Sequence, residues 1–248
     1  MRYVKNLSEP WFSLIKPNIK SVCIIQADNR DPKTFFLKKT MIINKRAAER
    51  LNFDYEFIKF KNIDKIDPRA MKIKIINTVL KNTKYEIIIF IDSDAWCNDV
   101  INLYNIVNYF IDSNKHGCYS REPPPFDPKK EPNISLDTDH NNTYINSGVF
   151  MLKVNDFIKN MYDYLENELI KRPRNRRPFD QYYISNFVYK NKNEFLIFKS
   201  NVLNTPLGKV IRHNWFKNEQ MHKDLDYLIK NKIDVDYNEN FNLKDNIE

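Results

Sequence analysis

Short apolar runs alternate along this chain with stretches whose apolar residues recur every three or four positions, and the alternation sets the expected architecture. Residues 21–27 (Ser-Val-Cys-Ile-Ile-Gln-Ala) read as a first strand, followed by a turn at 28–32 and a helical stretch over about 33–51. A strand at 55–60 follows. Residues 69–80 place Met71, Ile75, Ile76 and Val79 at helical spacing and lead into Glu86-Ile-Ile-Ile-Phe-Ile-Asp-Ser-Asp-Ala95. This strand–helix–strand–helix–strand order predicts a parallel sheet with right-handed crossovers. A helix over 102–111 comes next, then a proline-rich stretch at 119–142 that reads as a long irregular loop. Beyond it lie a strand in the second half of 143–153, a helix over 154–170, a basic loop at 171–177 and a helix starting near Phe179. A short strand at 195–198, an apolar run at 210–215, a helix over 219–230 and a loose polar tail from about 235 complete the pattern. The expectation is one α/β domain spanning residues 1–248.

Composition narrows the function classes. The 248 residues are ample for a large core, and the only three glycines, Gly117, Gly148 and Gly208, lie far apart. A P-loop and a dinucleotide fingerprint both need clustered glycines, so both are excluded. The net charge of +8 favours anionic partners in general, but no repeated basic face or binding motif accompanies it, and nucleic acid is not expected as a partner. Cys23, Cys97 and Cys118 form no CxxC pair, which argues for a reducing compartment and against a zinc knuckle. No signal-peptide core or stretch of membrane-span length occurs, so a soluble, cytoplasmic protein is expected.

The chemistry concentrates where the buried run 87–91 ends in two carboxylates one residue apart. Asp92 and Asp94 are placed at the carboxyl edge of a sheet, where open α/β sheets bind ligands. Two like charges there call for a positive neutraliser, and a divalent cation that also carries substrate phosphates is the simplest. The rival reading is a pair of loop carboxylates capping the next helix. His213 ends an apolar run and is either a ligand or a satisfied histidine. Asp180 and Gln181 open a helix, where Asp is also favoured by free backbone N–H groups. Asn146, Ser147 and Gly148 are turn-forming residues before a strand. Asp28 and Arg30 follow the first strand, in a position equally suited to a solvated turn.

Four pieces in this order, Ile91-Asp-Ser-Asp-Ala-Trp, Asn146-Ser-Gly-Val-Phe-Met-Leu, Asp180-Gln181 and Ile211-Arg-His-Asn-Trp-Phe-Lys, resemble GT-A fold glycosyltransferases. Within them the chain is most similar to glycosyltransferase family 34, with a weaker similarity to family 8, over roughly residues 21–217. The resemblance implies a GT-A, Rossmann-like open and mostly parallel sheet flanked by helices. It implies that Asp92, Asp94 and His213 hold Mn²⁺, with Mg²⁺ as the alternative, against a donor diphosphate. It puts Ser93 beside the nucleotide ribose, Asp28 and Arg30 near base and ribose, and Asn146 and Ser147 at the substrate. Lys72 matches a lysine on the helix before the metal strand, with Lys74 close enough to compete, and Lys217 matches a phosphate contact. The pattern departs after His213, where the family usually has a glycine-containing turn.

The function expected on this basis is transfer of a sugar from a nucleoside-diphosphate sugar, UDP-linked, to a hydroxyl of a glycan or glycoprotein acceptor. Retention of configuration is implied, with Asp180 and Gln181 holding the sugar or supporting an oxocarbenium-like species. The enzyme rival is a haloacid-dehalogenase-like phosphotransferase using Asp92 as nucleophile; the non-enzymatic rival is a basic nucleic-acid-binding module.

Overall fold

The computed structural model describes residues 21–61, 68–123, 143–171, 179–214, 219–230 and 240–248. Its centre is a six-stranded sheet. The strands are β1 (Val22–Asp28), β2 (Asp54–Lys59), β3 (Ile87–Ile91), β5 (Gly117–Arg121), β6 (Ile145–Lys153) and β7 (Phe195–Phe198), in the order β2-β1-β3-β6-β5-β7. β1 is parallel to β2 and β3, and β5 is parallel to β7. Only β6 runs against its neighbours, so the sheet is mostly parallel.

Period-2 alternation divides the strands between two apolar layers. Cys23, Ile25, Ile88 and Phe90 pack against one set of helices, which includes α2 (Met71–Asn82), α4 (Asp156–Ile170) and α5 (Asp180–Lys190). Val22, Ile24, Ile87, Ile89 and Ile91 pack against α1 (Phe35–Leu51) and α3 (Val100–Asp112) on the other face. Burial on both sides explains why β3 reads as an uninterrupted apolar run. The helix boundaries have local causes. Asn52 ends α1 in the left-handed conformation at φ 55°, while Asp99 and Asn155 cap α3 and α4 by accepting from Asn102 N and Ile158 N.

A separate two-stranded ribbon pairs β4 (Ala95–Cys97) antiparallel with β8 (Ile211–His213), setting Ala95 opposite His213. Helix α7 (Glu219–Lys230) covers it, with Leu225 and Leu228 against the buried Trp96 and Ile43. The short α6 (Ser200–Leu203) precedes β8.

Two expectations are corrected. The loop expected from Tyr119 begins later, because residues 119–121 belong to β5, a strand with neighbours on both sides. Five residues containing Gly, Ser and Arg give little strand signal. The tail expected to be loose is ordered from 240 onward: Phe241, Leu243 and Ile247 pack on the core, and Ile247 bridges Phe198 on the edge strand β7. Its apolar residues are spaced too irregularly to register as an element. The basic loop beyond Lys171, most of the proline-rich stretch, the first part of the tail and Lys217 lie outside the described residues. No described helix is long and apolar enough to cross a membrane.

Candidate metal centre and cleft

The carboxyl end of β3 opens into a cleft of about 460 Å³ lined by Asp28, Arg30, Lys72, Asp92, Asp180 and Gln181, among others. The turn carrying Asp92 and Asp94 is held from behind by its backbone. Gln26 Nε2 donates to Asp92 O at 3.2 Å, Thr40 Oγ1 to Ser93 O at 2.7 Å, and Asn44 Nδ2 to Ala95 O at 3.0 Å. Asn44 Oδ1 also accepts from Cys97 N at 2.8 Å. All three side chains are fully buried, so each polar group is satisfied by fixing the turn.

The β4–β8 ribbon brings His213 to this turn. Its Nε2 lies 2.9 Å from Asp94 Oδ1 and 3.8 Å from Asp92 Oδ2. One ligand atom from each of the three residues falls within 4.8 Å of the others. On the far side of the ring, Nδ1 meets Asn204 Oδ1 at 2.7 Å. Nε2 donates to Asp94, and a bound cation would take the place of that proton, with Asn204 holding the ring from behind. Two carboxylates and an imidazole in this arrangement fit a divalent cation. Gly148 makes the approach possible: a Cβ at this position would lie 2.3 Å from His213 Cε1.

Lys72 forms the floor of the cleft. Its Nζ is 2.8 Å from Asp92 Oδ1 and 3.0 Å from Asp180 Oδ2, and it donates to Ser147 O at 2.9 Å. Burial alone would lower its pKa, but the Asp180 and Asp92 charges outweigh that and hold the ammonium above its ordinary value. Lys74 points elsewhere, toward Glu166 on α4 at 3.7 Å, and does not line the cleft. Burial pushes the Asp92 carboxyl up to about 6 against the opposing charges of Lys72 and His213. Burial also raises Asp94, but the His213 hydrogen bond and charge prevail and leave it below the usual carboxylate range.

The other expected residues converge as well. Arg30 grips the buried Asp28 through Nε (2.9 Å to Oδ1) and a second nitrogen (2.6 Å to Oδ2), and donates to Ser93 Oγ at 3.0 Å. Burial of Asp28 is overcome by the Arg30 and Ser93 hydrogen bonds, and its pKa falls. Ser147 Oγ donates to Asp180 Oδ2 at 2.8 Å. Asn146 is in β6 and not in a turn, and both its amide ends are engaged, Nδ2 with Glu122 and Oδ1 with Gly148 N, each at 2.8 Å.

Sequence reading missed Glu122, Asn204, Thr40 and Asn44. Only Glu122 left a trace, as a carboxylate beside Pro123 at the edge of an irregular stretch. The chain is similar to a glycosyltransferase involved in the glycosylation of the major capsid of PBCV-1, at TM-score 0.61 and 14% identity over 82% of this chain and 99% of that one. A second match is the galactosyltransferase LgtC in complex with donor and acceptor sugar analogues, at TM-score 0.50 and 11% identity over 84% of this chain and 95% of that one. No protein-family model and no curated protein sequence matches the chain. The likeness shows the fold, and the chain has the GT-A fold of these glycosyltransferases.

Proposed function

We propose that this chain is a metal-dependent glycosyltransferase of family 34 type that transfers a sugar from a nucleoside-diphosphate sugar, UDP-linked, to a hydroxyl of a glycan or glycoprotein, with retention of configuration. The observation that carries this reading is the meeting of Asp92, Asp94 and the Nε2 face of His213 at the mouth of a cleft in a GT-A fold. Two solved structures similar to it are named as glycosyltransferases, one holding donor and acceptor analogues.

Asp92, Asp94 and His213 hold the cation, which when bound supplies positive charge to the donor's diphosphate and leaving group. Arg30 and Asp28, joined to Ser93, line the end of the cleft suited to ribose and base. Lys72 keeps a buried ammonium beside Asp92 and lowers the cost of negative charge there. Asp180, tied to Lys72 and Ser147, and Gln181 face the remaining part of the cleft, where the sugar is oriented.

The test is release of nucleoside diphosphate from a set of sugar nucleotides with Mn²⁺, with Mg²⁺ and with chelator. Asp92→Asn and Asp94→Asn are expected to remove at least about 3 kcal/mol of transition-state stabilisation each. Wild-type rates in either variant, or in excess chelator, would overturn the reading. NMR of the product's anomeric proton decides retention, and an inverted product rejects it.

A further inference from the structure

Glu122 follows β5 directly and has no part in the metal centre or the ion-pair network around Lys72. Its Oε2 accepts two amide donors, Asn146 Nδ2 at 2.8 Å and Gln181 Nε2 at 3.1 Å. Gln181 Nε2 also donates to Thr143 Oγ1 at 2.8 Å. A carboxylate oxygen that takes two donors must meet the NH₂ end of each amide. A flipped Gln181 would set its carbonyl oxygen against Oε2, oxygen to oxygen, with no proton between them. The same holds if the carboxyl carries its proton on Oε1, since Oε2 still accepts; only a proton on Oε2 itself would suit the flipped amide, so the lock belongs to the ionised and Oε1-protonated forms. Asn146 is fixed independently by Gly148 N, so the pair of amides has one consistent orientation.

The consequence for the cleft is chemical. Both N–H groups of Gln181 are used behind it, on Glu122 and Thr143, while Gln181 itself lines the cleft next to Asp180. No described residue donates to its Oε1. Asp180 follows the same rule, with Ser147 Oγ and Lys72 both meeting Oδ2.

We propose that Glu122 is a positioning residue that locks Gln181 with its carbonyl oxygen toward the cleft, so that these side chains offer acceptors to ligand hydroxyls and a partial negative charge to an electron-poor sugar carbon. The identity of the ligand rests on the sugar-transfer reading. The lock itself does not, because it follows from the donor and acceptor roles alone.

Hydrogen exchange of the Gln181 side-chain NH₂, followed by NMR and assigned by its disappearance in Gln181→Leu, tests the lock directly. The wild-type NH₂ should exchange on the order of tenfold or more slowly than exposed glutamine side chains, and Glu122→Leu should remove that protection. Exchange at the exposed rate in the wild type, or protection unchanged in Glu122→Leu, overturns the proposal. Glu122→Gln is nearly isosteric but lets residue 122 meet either end of the Gln181 amide. It should lower kcat for release of nucleoside diphosphate on the order of tenfold and leave donor KM and the thermal shift with UDP and Mn²⁺ unchanged. An unchanged kcat, or a rise in donor KM alone, counts against the lock. If the wild type releases no diphosphate from any sugar nucleotide, the transfer reading fails while the exchange result still decides the role of Glu122.

Discussion

At the scale of single residues, charge is distributed so that no group in the cleft stands alone. Lys72 serves Asp92, Asp180 and Ser147 at once, and Arg30 closes on Asp28. Glu122 differs, since its partners are neutral amides. Burial therefore dominates and pushes its carboxyl up to about 7, with the Asn146 and Gln181 N–H groups and then the charge of His213 opposing. The folded protein then retains a proton that the unfolded chain has already lost between about pH 4.5 and 7. Unfolding releases that proton, so this group's contribution to stability is full below the unfolded value and declines as pH rises through the window. Glu122→Gln abolishes the decline. Urea unfolding at pH 5 and pH 8 should show the variant gaining stability relative to the wild type at the higher pH, and a pH-independent difference would contradict the burial of this carboxyl. Asp92 and Asp94 were legible from sequence because an apolar strand announces its own end. Glu122, Asn204, Thr40 and Asn44 were not, because their meaning lies in which distant atom each one faces.

Among the elements, β6 does most to build the site. It runs antiparallel between β3 and β5, and its pairing with β5 slips, so that Tyr119 faces Phe150 while Ser120 faces Asn146. The residues skipped by that slip, Ser147 to Val149, stay alongside β3, where Val149 faces Ile91 and Gly148 O accepts from Asp92 N at 2.7 Å. This puts Ser147 on Lys72 and Asp180, and Gly148 against the His213 ring. Gly148→Ala should consequently displace His213 and weaken Mn²⁺ binding on the order of 10–100-fold, the range for disturbed support of a metal ligand. Titration of Mn²⁺ against the folded variant checks this, and wild-type affinity would mean the ring has room to move. The helices other than the four-residue α6, together with β1, β2, β3, β7 and the second half of β6, were readable from the pattern. β4 was not, and β8 showed only as an apolar run ending in His213, at three residues each. Strands so short carry no period, and they exist because they pair with each other.

For the molecule as a whole, residues 240–248 close an otherwise open edge. Ile247 bridges Phe198, Glu248 N donates to Ile197 O at 2.9 Å, and the Glu248 side chain reaches Arg121 at 3.0 Å. Removing residues 240–248 uncovers β7 and the apolar contacts of Phe241, Leu243 and Ile247. A loss of about 3 kcal/mol and increased self-association are expected, measured by denaturant unfolding and light scattering. A monodisperse truncation of unchanged stability would show that the edge needs no cover. The ribbon that joins His213 to Asp94 spans 119 residues of sequence. A centre assembled across so long a loop forms only when the chain is nearly complete, because closure entropy must be met before the ligands converge. Under the proposed function, a cation and a nucleotide bound there stabilise the native state and not the folding transition state. They should slow unfolding and leave the refolding rate almost untouched. In stopped-flow chevrons with Mn²⁺ and UDP, only the unfolding arm should move, which makes the ligand a guardian of the finished fold and no help to its formation.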